Sequence, residues 1–102
     1  MSNNTATSPI KGVKRMGGLE ISYSIDTTTN IITTSSNFDG LELGNGTMNP
    51  ENPQQTLWKN TGIQEYSGEL TTNYFNSSIE CTFEITEYGQ VVYKNKETVV
   101  KW

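Results

Sequence analysis

The side chains in this 102-residue chain that could act on another molecule are carboxylates, amides, hydroxyls and aromatic rings. There is no histidine and one cysteine. Without histidine the chain lacks the commonest general base and the partner of Ser–His and Cys–His nucleophiles. It also lacks the commonest transition-metal ligand. Cys81 alone builds neither a zinc site, an iron–sulfur site nor an internal disulfide. Gly44-Asn45-Gly46 reads as a turn, because no strand-to-helix passage surrounds it as a dinucleotide fingerprint requires.

Carboxylates can do acid–base work without histidine. Glu80 and Glu84 share one face of a strand, but four residues at ~3.3 Å each separate them by roughly 13 Å. Paired glycosidase carboxylates stand ~5–9.5 Å apart. Glu20, on another strand, is the remaining acid considered as a partner for either. The expected reading is a solvated outer face and a protein that is not an enzyme.

A second oxygen-rich set is Asn37, Asp39, Glu42 and Asn45. Calcium takes six to eight oxygens from such groups. Asp39 and Glu42 are the calcium candidates, but the dense alternating acids and the distant bidentate Glu of a calcium loop are missing. No cofactor is expected, calcium being the one considered. A third set is aromatic: Trp58, Tyr66, Tyr74, Tyr88, Tyr93 and Trp102. Flat rings with a polar edge suit sugar stacking and protein interfaces. In Thr56-Leu57-Trp58-Lys59 only one of Leu57 and Trp58 can face a core. With Leu57 inside, Trp58 is outside.

These residues give two expectations of different kinds. The first is a non-enzymatic binding module, carbohydrate-binding and lectin-like, with its ligand held by Asn37, Asp39, Asn45 and Trp58. The alternative is a self-assembling structural or protein-interaction subunit, of capsid, tail, pilus-like, inclusion or inhibitor type. The expected partner is a glycan or another protein. A homo-oligomer would form through the edge strand 97–102.

The elements that must position these groups are strands. Ser78 to Thr86 alternates polar and apolar without error, placing Ile79, Cys81, Phe83 and Ile85 on one face. Leu19, Ile21, Tyr23 and Ile25 repeat the pattern. Asp26 to Asn30 forms a turn, and Ile31 to Ser36 returns as the second arm of a hairpin. Residues 37–54 hold Asp39-Gly40, Asn49-Pro50 and Asn52-Pro53, and read as a long irregular loop with a brief strand at 41–43. Short strands follow at 56–59, 63–66, 69–75, 91–93 and 97–102, with Asn95 marking a turn. No helical period persists. Seven to nine short strands at this spacing predict an all-β fold, a small antiparallel β-sandwich or partly open barrel. Residues 1–10 are expected to be a disordered tail and 11–102 a single domain.

Thr, Ser and Asn supply 35 residues, and the formal charge is −4. The charge is uneven. Lys11, Lys14 and Arg15 make the N-terminal part basic, Lys94, Lys96 and Lys101 the C-terminal part, and ten of the eleven acids lie between. An acidic body repels phosphate, so nucleic acid is not an expected partner. Anionic membrane is disfavoured for the same reason. No apolar run is long enough for a signal peptide or a membrane-spanning segment, so the chain is expected to be cytoplasmic or released without a classical leader.

Overall fold

A computed structural model of the chain describes residues 8–102. It holds eight antiparallel strands in two four-stranded sheets, consistent with a small β-sandwich. Sheet 1 is the meander β1 (Ile10–Met16), β2 (Leu19–Asp26), β3 (Ile31–Phe38) and β4 (Leu41–Met48). Sheet 2 is the meander β5 (Gln54–Asn60), β6 (Gln64–Asn73), β7 (Ser78–Glu87) and β8 (Gln90–Lys101). The expected strand number and antiparallel pairing hold. Of the expected tail, residues 1–7 lie outside the described residues, and Ile10 already belongs to β1.

Turn chemistry sets the meanders. Asp39-Gly40 and Tyr88-Gly89 each join paired strand ends with both residues at positive φ, as a two-residue hairpin turn of mirror type requires. Gly17-Gly18 joins β1 to β2 with Gly17 at φ 60°. Asp26 ties its own turn by accepting the Thr28 and Thr29 amides at 2.9 and 3.2 Å. The chain changes sheets once, over residues 49–53. There Asn49 accepts the Glu51 and Asn52 amides, and Pro53 accepts the Thr72 amide.

Alternation then builds the core. Leu19, Ile21, Ile25 and Ile32 from sheet 1 meet Leu57, Leu70, Ile79, Cys81 and Phe83 from sheet 2, all essentially inaccessible. Each large apolar side chain buried this way contributes on the order of 1.5–3 kcal/mol. Phe38 ties the sheets together, its ring 5.1 Å from Tyr66 and 5.8 Å from Phe83. Tyr66 and Tyr93 are therefore core and core-flanking rings, and Trp102 packs partly against the same cluster.

The expected long loop at 37–54 is instead the tight β3–β4 turn, the whole of β4, and the five-residue crossing. Inner positions of β4 include Gly44 and Gly46, which erase the apolar alternation. Gly44 is required because the Thr56 carbonyl of β5 lies 3.0 Å from where its Cβ would stand. Glycine in a strand marks such an approach. The same reason corrects the division of β6 at 66–69. Gly68 sits mid-strand where the Thr82 carbonyl of β7 occupies the place of a Cβ. Asn95 makes no turn. It faces inward within β8, donating to Glu97 at 2.6 Å and to the Tyr93 hydroxyl at 3.3 Å. β8 bends at two bulges instead, near Val92 and Val99.

β1 was not expected, because its alternation is inverted. Gly12, Lys14 and Met16 register with the inner positions Tyr23, Ile21 and Leu19, while Lys11, Val13 and Arg15 point outward. Tyr23 lays its ring over the bare Gly12. Lys14 points inward and pairs with Glu97 of β8 at 3.1 Å. β1 and β8 are each an edge strand of their sheet, as β4 and β5 are on the other side, and inward charges are a known guard on exposed edges.

Candidate functional site

The outer face of sheet 2 carries the richest set of groups able to hold a ligand. Strand register places Trp58, Ser67, Glu84 and Lys94 in one row across β5, β6, β7 and β8. The next row is Thr56, Glu69, Thr82 and Lys96. Alternation is the cause: Leu57, Gly68, Phe83 and Asn95 take the inner positions between them. At ~4.8 Å per strand, the first row spans roughly 14 Å.

Trp58 is 52% exposed. Its indole nitrogen donates to Glu65 at 2.9 Å, which fixes the plane of the ring on the sheet. Beside it, one strand over, lies a depression of about 490 Å³ lined by Ser67, Thr82, Glu84, Lys94 and Lys96, with Gly68, Phe83 and Asn95 between them. That volume falls in the range of small-molecule sites. A pinned ring beside hydroxyl, carboxylate and ammonium groups can stack on an apolar face of a ligand and bond its hydroxyls.

Sequence reasoning placed a site on Asn37, Asp39, Asn45 and Trp58. The structure brings only two of these together. Asn37 and Asp39 line one depression of about 540 Å³ at the turn end of sheet 1, with Arg15, Gly17, Gly18, Leu19, Glu20 and Gly40. The Asp39 amide donates to the Gly18 carbonyl at 3.1 Å, tying the two turns side by side. Asn45 stands further along β4 and donates to the Glu42 carboxylate. Trp58 belongs to the other sheet. Of the calcium candidates, Asp39 is in the turn and Glu42 is engaged by Asn45; among the described residues no three of His, Cys, Asp and Glu gather around a common point.

The acids considered for catalysis are also placed. Glu20 lies in sheet 1, on β2, and takes Arg15 at 3.1 Å, so it does not approach Glu80 or Glu84 in sheet 2. Glu80 accepts the Thr98 hydroxyl with both oxygens at 3.0 Å. Cys81 is fully buried, and burial first, with Glu97 opposite it second, pushes its thiol up to about 12. Glu97 itself is held below the usual carboxylate range by hydrogen bonds from Lys14 and Asn95.

Ser67, Thr82, Lys94 and Lys96 were missed as site residues. Alternation in β7 was enough to put Thr82 and Glu84 on one face. Their meeting with Trp58, Ser67 and the lysines depends on the register of four strands, which no local pattern encodes. Apolar groups stand out elsewhere: Phe75 is 96% exposed at the β6–β7 turn, and Ile63, Tyr88, Val91 and Val92 are exposed at the opposite end of sheet 2. Among the described residues no helix is long and apolar enough to cross a membrane. Compared with known proteins, the chain matches no family model, no curated protein and no solved structure.

Proposed function

We propose that the protein is a non-enzymatic glycan-binding module whose site is the outer face of sheet 2. The observation that carries this reading is Trp58: an exposed indole, pinned by Glu65, one strand from a depression of about 490 Å³ whose rim carries hydroxyl, carboxylate and ammonium groups. A pyranose ring stacks its C–H face on such an indole, and its hydroxyls reach Ser67, Thr82 and Glu84. The roughly 14 Å row fits an oligosaccharide better than a single sugar. Glu65 and Glu69 stand close to the ring, and Glu84 lies further across the face beside Lys94, so the preferred ligand at the ring is neutral. An acidic sugar would meet like charge.

The test is a glycan array followed by calorimetry on the strongest neutral oligosaccharide. Binding is expected to fall at least about tenfold in Trp58→Ala, the effect of losing ~1.4 kcal/mol or more of ring contact. Ser22→Ala, on the outer face of sheet 1, is expected to bind as the parent does. No binding to any neutral glycan at millimolar concentration, or binding indifferent to Trp58, would reject the reading.

The assembly reading has the exposed β1 and β8 edges in its favour. It has against it that six of the seven cationic side chains sit on them. Pairing copies edge to edge through β8 would align lysines with lysines.

A further inference from the structure

The two basic ends of the sequence meet in the fold. Lys11, Lys14 and Arg15 lie on β1, and Lys94, Lys96 and Lys101 on β8. These two edge strands lie on the same side of the sandwich, joined there by the Lys14–Glu97 pair. An acidic protein thus carries one basic flank. Among the described residues only two of the six cations form ion pairs, Lys14 with Glu97 and Arg15 with Glu20. Lys94 forms none although Glu84 is its register partner on β7.

Among the described residues β8 has β7 on one side and no strand on the other. A strand edge presents a row of backbone donors and acceptors that another extended backbone can pair with. The regular part of this edge is short. Bulges near Val92 and Val99 leave Tyr93 to Thr98 in unbroken register. Within it Lys94 and Lys96 point to the outer face, whereas Glu97 points inward. We propose that this edge binds an extended acidic peptide segment of another protein, adding it as a fifth strand to sheet 2. The segment is about six residues long, with Asp or Glu at alternate positions over Lys94 and Lys96 and uncharged residues facing Glu97. A second copy of this chain is a poor occupant: its β1 and β8 edges are basic as well, and its β4 and β5 edges carry only Glu42 and Lys59, with no alternating acids. A flexible polyanion would use the charges but not the backbone row.

The experiment is fluorescence anisotropy with a labelled, capped peptide alternating Glu and Val, read at low salt. Saturable binding is expected, weakened about tenfold or more in Lys94→Glu/Lys96→Glu and unchanged in Trp58→Ala. The same peptide with a central proline keeps its charge but cannot pair its backbone, and it is expected to bind at least about tenfold more weakly. Hydrogen exchange of the Tyr93–Thr98 amides is expected to slow in the complex. The peptide variants leave the protein untouched, so loss of folding in the charge-reversed form does not obscure the result. Equal binding of the proline peptide, or equally effective competition by a sulfated polysaccharide, would overturn strand addition. So would a dimer joined through β8 in native mass spectrometry.

Discussion

Cys81, Glu97 and Ser36 show what single positions contribute. The Cys81 thiol has its folded value raised to about 12 by burial and by Glu97. Its unfolded value is near 8.5. Below that value the group is neutral in both states, so its contribution to stability is fully present. It is lost as pH rises from about 8.5 through about 12, because only the unfolded state releases the proton. A thiol reagent is therefore expected to leave native protein unmodified at pH 8 and to label it on denaturation. Cys81→Ala is expected to flatten the alkaline loss of stability measured by denaturant titration. Glu97 acts with the opposite sign. Its carboxyl is lowered by Lys14 and Asn95, so its contribution is present above the usual carboxylate range and lost as pH falls through its folded value. Lys14→Met is expected to weaken the dependence of the unfolding midpoint on pH at the acid end. Ser36 is buried with no hydrogen-bond partner for its hydroxyl among the described residues. Removing that hydroxyl lifts a desolvation cost of ~1–3 kcal/mol and gives up a little packing. Ser36→Ala is expected to raise stability by about 1 kcal/mol in urea unfolding.

The strands divide by how openly their sequences declare them. β2 and β7 were legible because every inner position is apolar or aromatic and every outer position polar. β1, β4, β6 and β8 were hidden or cut short because their inner positions hold Gly12, Lys14, Gly44, Gly46, Gly68, Asn95 and Glu97. Each has a tertiary reason that local pattern does not carry. Tyr23 covers Gly12, β5 crowds Gly44, β7 crowds Gly68, and Lys14 meets Glu97 across the two sheets. The same limit applies to the candidate site. Trp58 was correctly put outside from Leu57 alone, but its companions come from three other strands. The glycine account is testable at the element it shapes. Gly68→Ala drives a methyl into the Thr82 carbonyl, and overpacking of this kind costs ~1–3 kcal/mol. Urea unfolding is expected to show that loss. Gly40→Ala, where a Cβ meets no neighbour within 4 Å, is expected to show only the smaller cost of its positive φ.

At the scale of the molecule, chemistry is sorted by surface. The interior is filled by the two apolar faces and closed by the Phe38, Tyr66 and Phe83 rings. One flank is basic and edge-exposed. The outer face of sheet 2 carries the pinned indole and the depression beside it, and the depression holding Asn37 and Asp39 belongs to the turn end of sheet 1. The central claim is that a neutral glycan docks on the outer face of sheet 2 around Trp58. Titration of isotope-labelled protein with the array-selected oligosaccharide, followed by amide and indole chemical shifts, tests it most directly. The account predicts shifts at the Trp58 indole and at Ser67, Thr82 and Glu84, with Asn37, Asp39 and Asn45 unmoved. Shifts centred on Asn37 and Asp39, with the Trp58 indole silent, would contradict it.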